Sequence, residues 1–325
     1  MASIRDVAKR ANVGAMTVSR YLNGTGYVSE VAAEKIKIAV QELDYTPNEL
    51  ARNLFHKKTG IVAVLLPDIS HPFFSKFVKC VEIELYEKGY KTMICSTVKE
   101  HNCELEYLDM LKRHMVDGII TGVHSLGIEE YLKIDKPIVA LDRNLGEKIP
   151  VVGVDHRSGG RIAAQRLVDC GCKNVIQFEG ALVVDSPSNE CHSTFLEVME
   201  QNHVSVCSYE LEWNRFDEKY FKETVHRVFE KYPEIDGVFG ADMLAVFYLK
   251  EALQAGKKVP EDIKIVAYDG TYITEVTSPS ITAVVQPIEM LAIECVKLVL
   301  ELAEGKEYRN KRVVLDVKLS EGGTT

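Results

Sequence analysis

The chain has 325 residues, 46% of them hydrophobic and 27% charged, which is enough for about two domains of ordinary size around substantial cores. No apolar run of ~18 residues is present to span a bilayer, and the opening MASIRDVAKR lacks the apolar stretch of a secretion signal, so a cytoplasmic protein without membrane contact is expected. The formal net charge of −9 is unevenly placed, with +3 on residues 1–60 and −12 on the rest, a basic head on an acidic body that attracts phosphates only locally.

The head begins with Ser3 and Asp6, a Ser-x-x-acid helix start. A first helix over 4–11 follows, with Val7, Ala8 and Ala11 on its apolar face, and Asn12-Val13-Gly14 supplies the turn. The second helix, 15–22, turns Val18 and Leu22 inward, and Asn23-Gly24 ends it with residues that tolerate left-handed backbone. Its outward face carries Ala15, Met16, Thr17, Ser19 and Arg20, short or polar groups plus an arginine that reaches a guanine edge and a methionine that touches thymine methyls. A third helix after Ser29, with Ala32, Ile36, Ala39, Val40 and Leu43, closes a small three-helix core. This spacing also occurs in helical subdomains that never meet DNA.

Residues 4–22, IRDVAKRANVGAMTVSRYL, are more specific, because they resemble the lactose/galactose repressor (LacI/GalR) family nearly position for position. The resemblance implies a DNA-binding head over 1–46 in which Ala15, Met16 and Arg20 read bases, while Thr17, Ser19, Tyr21 and Asn23 hold the backbone or core. Gly14 departs from the serine that commonly caps this helix in the family.

Residues 47–60 read as two helical turns, PNELARNL, followed by polar linker, and so short a helix is marginal in water. Taken alone, Leu54 is better explained by ordinary packing against the head. The resemblance implies instead a hinge that orders on operator DNA, with Ala51 against a partner backbone and Leu54 wedged into a minor-groove step.

From Gly60 onward, short apolar runs alternate with helical stretches. The runs lie at 61–67, 91–96, 118–122, 137–142, 151–155, 174–180, 237–242, 264–270 and 281–287. Helices are expected near 73–88, 104–113, 158–169, 191–201, 217–231 and 243–255. The pattern predicts a doubly wound α/β body with parallel sheets, and such sheets bind ligands beyond the carboxyl ends of their strands. Those ends carry Asp68, Asp142/Arg143, Asp155, Asp242 and Asp269, with Phe73 and Phe74 in HPFFS. Carboxylates accept hydroxyl hydrogen bonds and aromatic faces stack on sugar rings, so the set suits a carbohydrate, although a strand-end Asp also commonly caps the next helix.

The body also resembles the two-lobed periplasmic sugar-binding fold found in the same family, clearest in PDISHPFFS, IVALDRN, GVFGADMLAV, VPEDIKIVAYDGT and VVQPIEMLA. The resemblance implies lobes of 61–154 plus 288–311 and 155–287 plus 312–323, with the chain crossing three times. It places effector contacts at Asp68, Phe73, Asp142, Arg143, Phe216, Asp242, Asp269 and Gln286, with Trp213 nearby. Cys191 stands where members commonly have an arginine, and Ala241 where they have an asparagine. The AYDGT run is similar to sucrose-operon repressors.

The cysteines carry no framework. The only close pair, Cys170 and Cys172, lacks both CxxC spacing and a second pair, so reduced thiols, no metal and no cofactor are expected. Nor is an enzyme expected: Walker, GxGxxG, GxSxG and HExxH patterns are missing, and His71, His124 and His156 have no nucleophile beside them. The expectation is a homodimeric repressor of a carbohydrate operon on a palindromic operator, with EGGTT too short to add a tetramerising heptad segment. Two alternatives stay open: a global catabolite regulator controlled by a phosphorylated carrier protein, and a sugar receptor with no DNA role.

Overall fold

The computed structural model describes residues 2–46, 58–97, 104–123, 126–182, 186–213 and 215–325. It divides into two compact units, Met1–Thr59 and Gly60–Thr325.

In the first unit, Ile4–Ala11 (α1), Ala15–Asn23 (α2) and Glu30–Glu42 (α3) enclose a core of Val7, Ala8, Ala11, Val18, Ile36 and Ala39. The start of α1 follows from the sequence: Asp6 N–H donates to the Ser3 hydroxyl at 3.3 Å, and the Ser3 N–H donates to the Asp6 carboxylate at 2.8 Å. Asn12 at φ +52° and Gly24 at φ +64° then turn the chain out of α1 and α2.

The second unit opens with Ile61–Leu66 (β1), Pro72–Glu87 (α4), Lys91–Ser96 (β2), Glu104–Lys112 (α5), Gly118–Thr121 (β3), Ile128–Leu132 (α6), Ile138–Leu141 (β4) and Val151–Val154 (β5). His156–Asp169 (α7), Asn174–Glu179 (β6), Asn189–Gln201 (α8), Ser205–Glu210 (β7) and Glu218–Lys231 (α9) come next. Gly237–Ala241 (β8), Asp242–Gln254 (α10), Lys264–Asp269 (β9), Tyr272–Glu275 (α11), Thr282–Val285 (β10), Ile288–Ala303 (α12), Arg312–Leu315 (β11) and Lys318–Ser320 (β12) complete it. One sheet runs β11-β5-β4-β3-β1-β2 and is parallel throughout. The other runs β12-β10-β9-β8-β6-β7 and is parallel except for the β10–β12 pair. The central strands are the apolar runs of the sequence, buried on both faces because helices cover them.

Between the sheets the chain crosses at Asp155, at Gln286-Pro287 and at Asp316-Val317. The last crossing corrects the expected boundary after residue 311. Arg312–Leu315 pairs in parallel register with Val151–Val154 and extends the first sheet, so only the segment after Leu315 returns to the second lobe. The edge strand β7 went unread because its side chains are at most half-buried and form no continuous apolar run. α12, also unread, buries Leu291, Cys295, Val296 and Val299 in a core shared with β1, β4 and α4.

Candidate functional site

In the head, α2 presents Ala15, Met16, Arg20 and Asn23 to solvent, with Thr17 half-buried. Met16 is 69% exposed, unusual for a large apolar side chain in a domain with so small a core to complete. Among the described residues no carboxylate pairs with Arg20, whereas Arg10 is tied to Glu42 at 2.6 Å. Asn23 donates to the Ser19 hydroxyl at 3.2 Å, so its amide is partly engaged within the helix. Gly14 caps α2 with backbone alone. Ala51 and Leu54 lie outside the described residues.

In the body, both sheets have the same strand order, 2-1-3-4-5 in each half, and each therefore has a switch point at which its crevice opens. Strand ends from both lobes converge there: Pro67 after β1, Gly122 after β3, Asp142 after β4, Gly180 after β6, Ala241 ending β8, Asp269 ending β9 and Gln286 after β10. They line a cavity of about 310 Å³, within the range of small-ligand sites. Its aromatic wall spans the two lobes, with the Phe216 ring 5.8 Å from His71 and 6.0 Å from Phe74, both edge-on.

A hydrogen-bonded chain joins the lobes under this cavity. Nε2 of His156, at the first crossing, lies 3.0 Å from Oδ1 of Asp142, and Nδ1 lies 2.8 Å from the hydroxyl of Tyr268. Glycines clear the space: a Cβ on Gly153 would stand 2.2 Å from Asp142 Oδ1, and one on Gly159 2.7 Å from the Tyr268 hydroxyl. The Ser186 hydroxyl donates to the Asp142 carbonyl at 3.2 Å, a second bond between the lobes. Beside Tyr268, Asp269 accepts from Gln286 Nε2 at 2.8 Å.

Of the expected effector contacts, Phe73, Asp142, Cys191, Phe216, Asp269 and Gln286 come together on the cavity wall, with Trp213 beside them. Asp68, Arg143 and Asp242 do not line it. Asp68 folds back on its own loop, where its Oδ1 accepts the N–H and hydroxyl of Ser70, each at 2.7 Å. Arg143 is buried in the first lobe, bonded to the carbonyls of Val123 and Leu126 and 3.5 Å from Glu104. Asp242 is fully buried and accepts from Gly270 N–H at 3.0 Å and from the N–H and hydroxyl of Thr271 at 2.6 and 2.5 Å. Asp155 caps α7 through Ser158, the ordinary role of a strand-end carboxylate.

The sequence reading missed His192 and Tyr268 as wall residues. His192 sits on the inward face of α8, where a helical periodicity shows burial but not chemistry, and Tyr268 read as strand filler. Burial pushes the imidazoles of His71 and His192 down to about 4, so both are neutral at ordinary pH. Cys191 is a neutral, buried thiol, its ionisation suppressed by desolvation.

Asp242 and Asp269 are both raised, first by desolvation, and Asp269 further by the charge of Asp242. A carboxyl whose native value lies above its unfolded value of about 4 stabilises the fold most below that pH and loses the contribution as pH rises through the native value. Asp269→Asn removes the second charge in nearly the same shape. The variant's melting temperature is therefore expected to gain on wild type progressively between pH 5 and 8, and a difference that stays flat or shrinks would contradict the paired-carboxyl assignment.

Comparison with known proteins gives two family matches: residues 3–48 to bacterial regulatory proteins of the lacI family, and residues 164–325 to the periplasmic binding protein-like domain. The chain is 36% identical to the ribose operon repressor of Halalkalibacterium halodurans, covering 100% of this chain and 97% of that protein. It is 38% identical to the sucrose operon repressor of Streptococcus mutans, covering 99% of each. A lac repressor dimer bound to operator and the anti-inducer ONPF superposes with TM-score 0.86 over 100% of this chain and 99% of that one, and at 21% identity it shows the fold alone. A LacI-type regulator from Alkaliphilus metalliredigens, complexed with D-xylulofuranose, has TM-score 0.73 and 27% identity over 82% of this chain and 99% of its own.

Proposed function

This chain belongs to the lacI family of bacterial regulatory proteins, and on that footing we propose that it is a cytoplasmic, dimeric repressor of a carbohydrate-utilisation operon, released or recruited by a sugar-like effector in the interlobe cleft. The observation that carries this reading is the presence, on one chain, of a solvent-facing helix bearing Arg20 and Met16 and a cleft walled by aromatic rings and hydroxyl-binding groups. End-to-end similarity to sugar-operon repressors favours neither a sugar receptor without a DNA role nor a catabolite regulator governed by a carrier protein.

The mechanism is linkage. Three crossings between the lobes form a hinge, and the Asp142–His156–Tyr268 chain and the His71–Phe216 contact join the two lobes across it. An effector that binds one degree of closure better than another shifts that equilibrium by its differential affinity, and the spacing of two heads on a two-fold operator shifts with it.

The test is operator binding by the full-length protein, with and without candidate sugars. Failure to bind any operator specifically at low salt would overturn the reading. Within it, Arg20→Ala is expected to lose about 1–3 kcal/mol of discrimination at one base pair, whereas Lys9→Ala, removing an exposed charge, weakens all sequences alike. Equal losses on matched and mismatched sites from both variants would remove Arg20 from the base-reading set.

A further inference from the structure

We propose that the cleft admits an uncharged polyhydroxy ligand and rejects the phosphate ester of the same sugar, with His71 from one lobe and His192 from the other as the specificity-determining contacts. The proposal rests on the reading of the cleft as an effector site and narrows the chemistry of what enters it.

Three buried polar atoms of cavity-lining residues have no hydrogen-bond partner among the described residues: Nδ1 of His71, Nδ1 of His192 and Oε1 of Gln286. A buried polar atom left unpaired is costly, so such atoms mark where a ligand's own polar groups belong. Both imidazoles are neutral, and each Nδ1 is a donor or an acceptor according to tautomer. A hydroxyl, which both donates and accepts, satisfies either form, and it also supplies the proton that Gln286 Oε1 requires. A phosphate supplies only acceptors and brings charge.

The electrostatics of the wall run the same way. Asp142, Asp269 and Glu212 line the cavity. Among the described residues lining it, the only Lys or Arg is Arg215, which is committed to Glu212 at 3.2 Å and Asp217 at 3.0 Å. Arg143, adjacent in sequence to Asp142, is turned away into the first lobe against Glu104. A phosphate entering here would shed its hydration beside carboxylates with no free cation to receive it. Phe73, Phe74, Phe216 and Trp213 offer apolar faces instead, which suit the C–H faces of a sugar ring.

Trp213 is the only tryptophan of the chain, so its fluorescence reports on the cleft directly. The full-length protein would be titrated with matched pairs: D-ribose and ribose 5-phosphate, fructose and fructose 6-phosphate, sucrose and sucrose 6-phosphate. Calorimetry would serve as the second readout. At least one free sugar is expected to bind, and its ester to bind at least about 100-fold more weakly. An ester that binds as tightly as its free sugar, or more tightly, overturns this proposal and leaves the effector reading standing. If neither member of any pair binds or alters operator affinity, both fall.

His71→Phe and His192→Phe keep the ring shape and remove the polar atom, and each is expected to weaken binding of the free sugar about tenfold. His192→Gln, which restores a polar end, recovers part of that loss. Wild-type affinity in both Phe variants would remove the histidines from the specificity set, and the wild-type pairwise titration stands as the test should a variant fail to fold.

Discussion

Cutting the chain after Thr59 is expected to abolish specific operator binding, a loss of about 10³-fold or more, while leaving sugar binding by Gly60–Thr325 within experimental error of the intact protein. The head has its own core of Val7, Ala8, Ala11, Val18, Ile36 and Ala39, and none of these side chains contributes to the cores of the body. The truncated chain therefore keeps every residue of the body's own cores. Electrostatics adds to the contrast, because the whole acidic excess lies on the remaining body, −12 against a head of +3, and it repels phosphates. Gel shifts at low salt and calorimetry on the same preparation measure the two effects separately. A truncated body that still distinguishes operator from unrelated DNA would relocate recognition away from Arg20 and α2.

How much of this was legible in the sequence depended on whether the determining interaction was local. The capping pair Ser3–Asp6, the left-handed Gly24 and the apolar strands of both sheets follow from residues within a few positions of each other, and the structure places them as read. At the strand ends, where the sequence pattern puts ligand chemistry, Asp142 after β4, Asp269 ending β9 and Gln286 after β10 line one cavity. Side-chain direction was not legible. Arg143 follows Asp142 in the chain, yet its guanidinium is claimed by Glu104 and by the carbonyls of Val123 and Leu126, which approach from other elements. Likewise β11 reads as a short, half-exposed segment, and only its pairing with Val151–Val154 assigns it to the first lobe. His192 escaped notice because a helix-face residue with no neighbouring motif announces burial and nothing else.

Asp242 is the sharpest case, and its replacement carries the largest expected effect on stability. Asp242→Ala leaves the N–H groups of Gly270 and Thr271 and the Thr271 hydroxyl without their acceptor in a region closed to water. Each orphaned buried donor costs about 1–3 kcal/mol, and part of that is offset because the variant no longer buries a carboxylate beside Asp269. The net loss is expected to be about 2–4 kcal/mol in chemical denaturation. Asp242→Asn retains one acceptor oxygen but turns an NH₂ toward donors, so it should fall between alanine and wild type. Had Asp242 been a ligand contact, the variants would instead lose sugar affinity at nearly unchanged stability. Denaturation midpoint and sugar affinity, measured on the same two variants, decide between a side chain that buttresses the Gly270-Thr271 turn behind the cleft and one that faces into it.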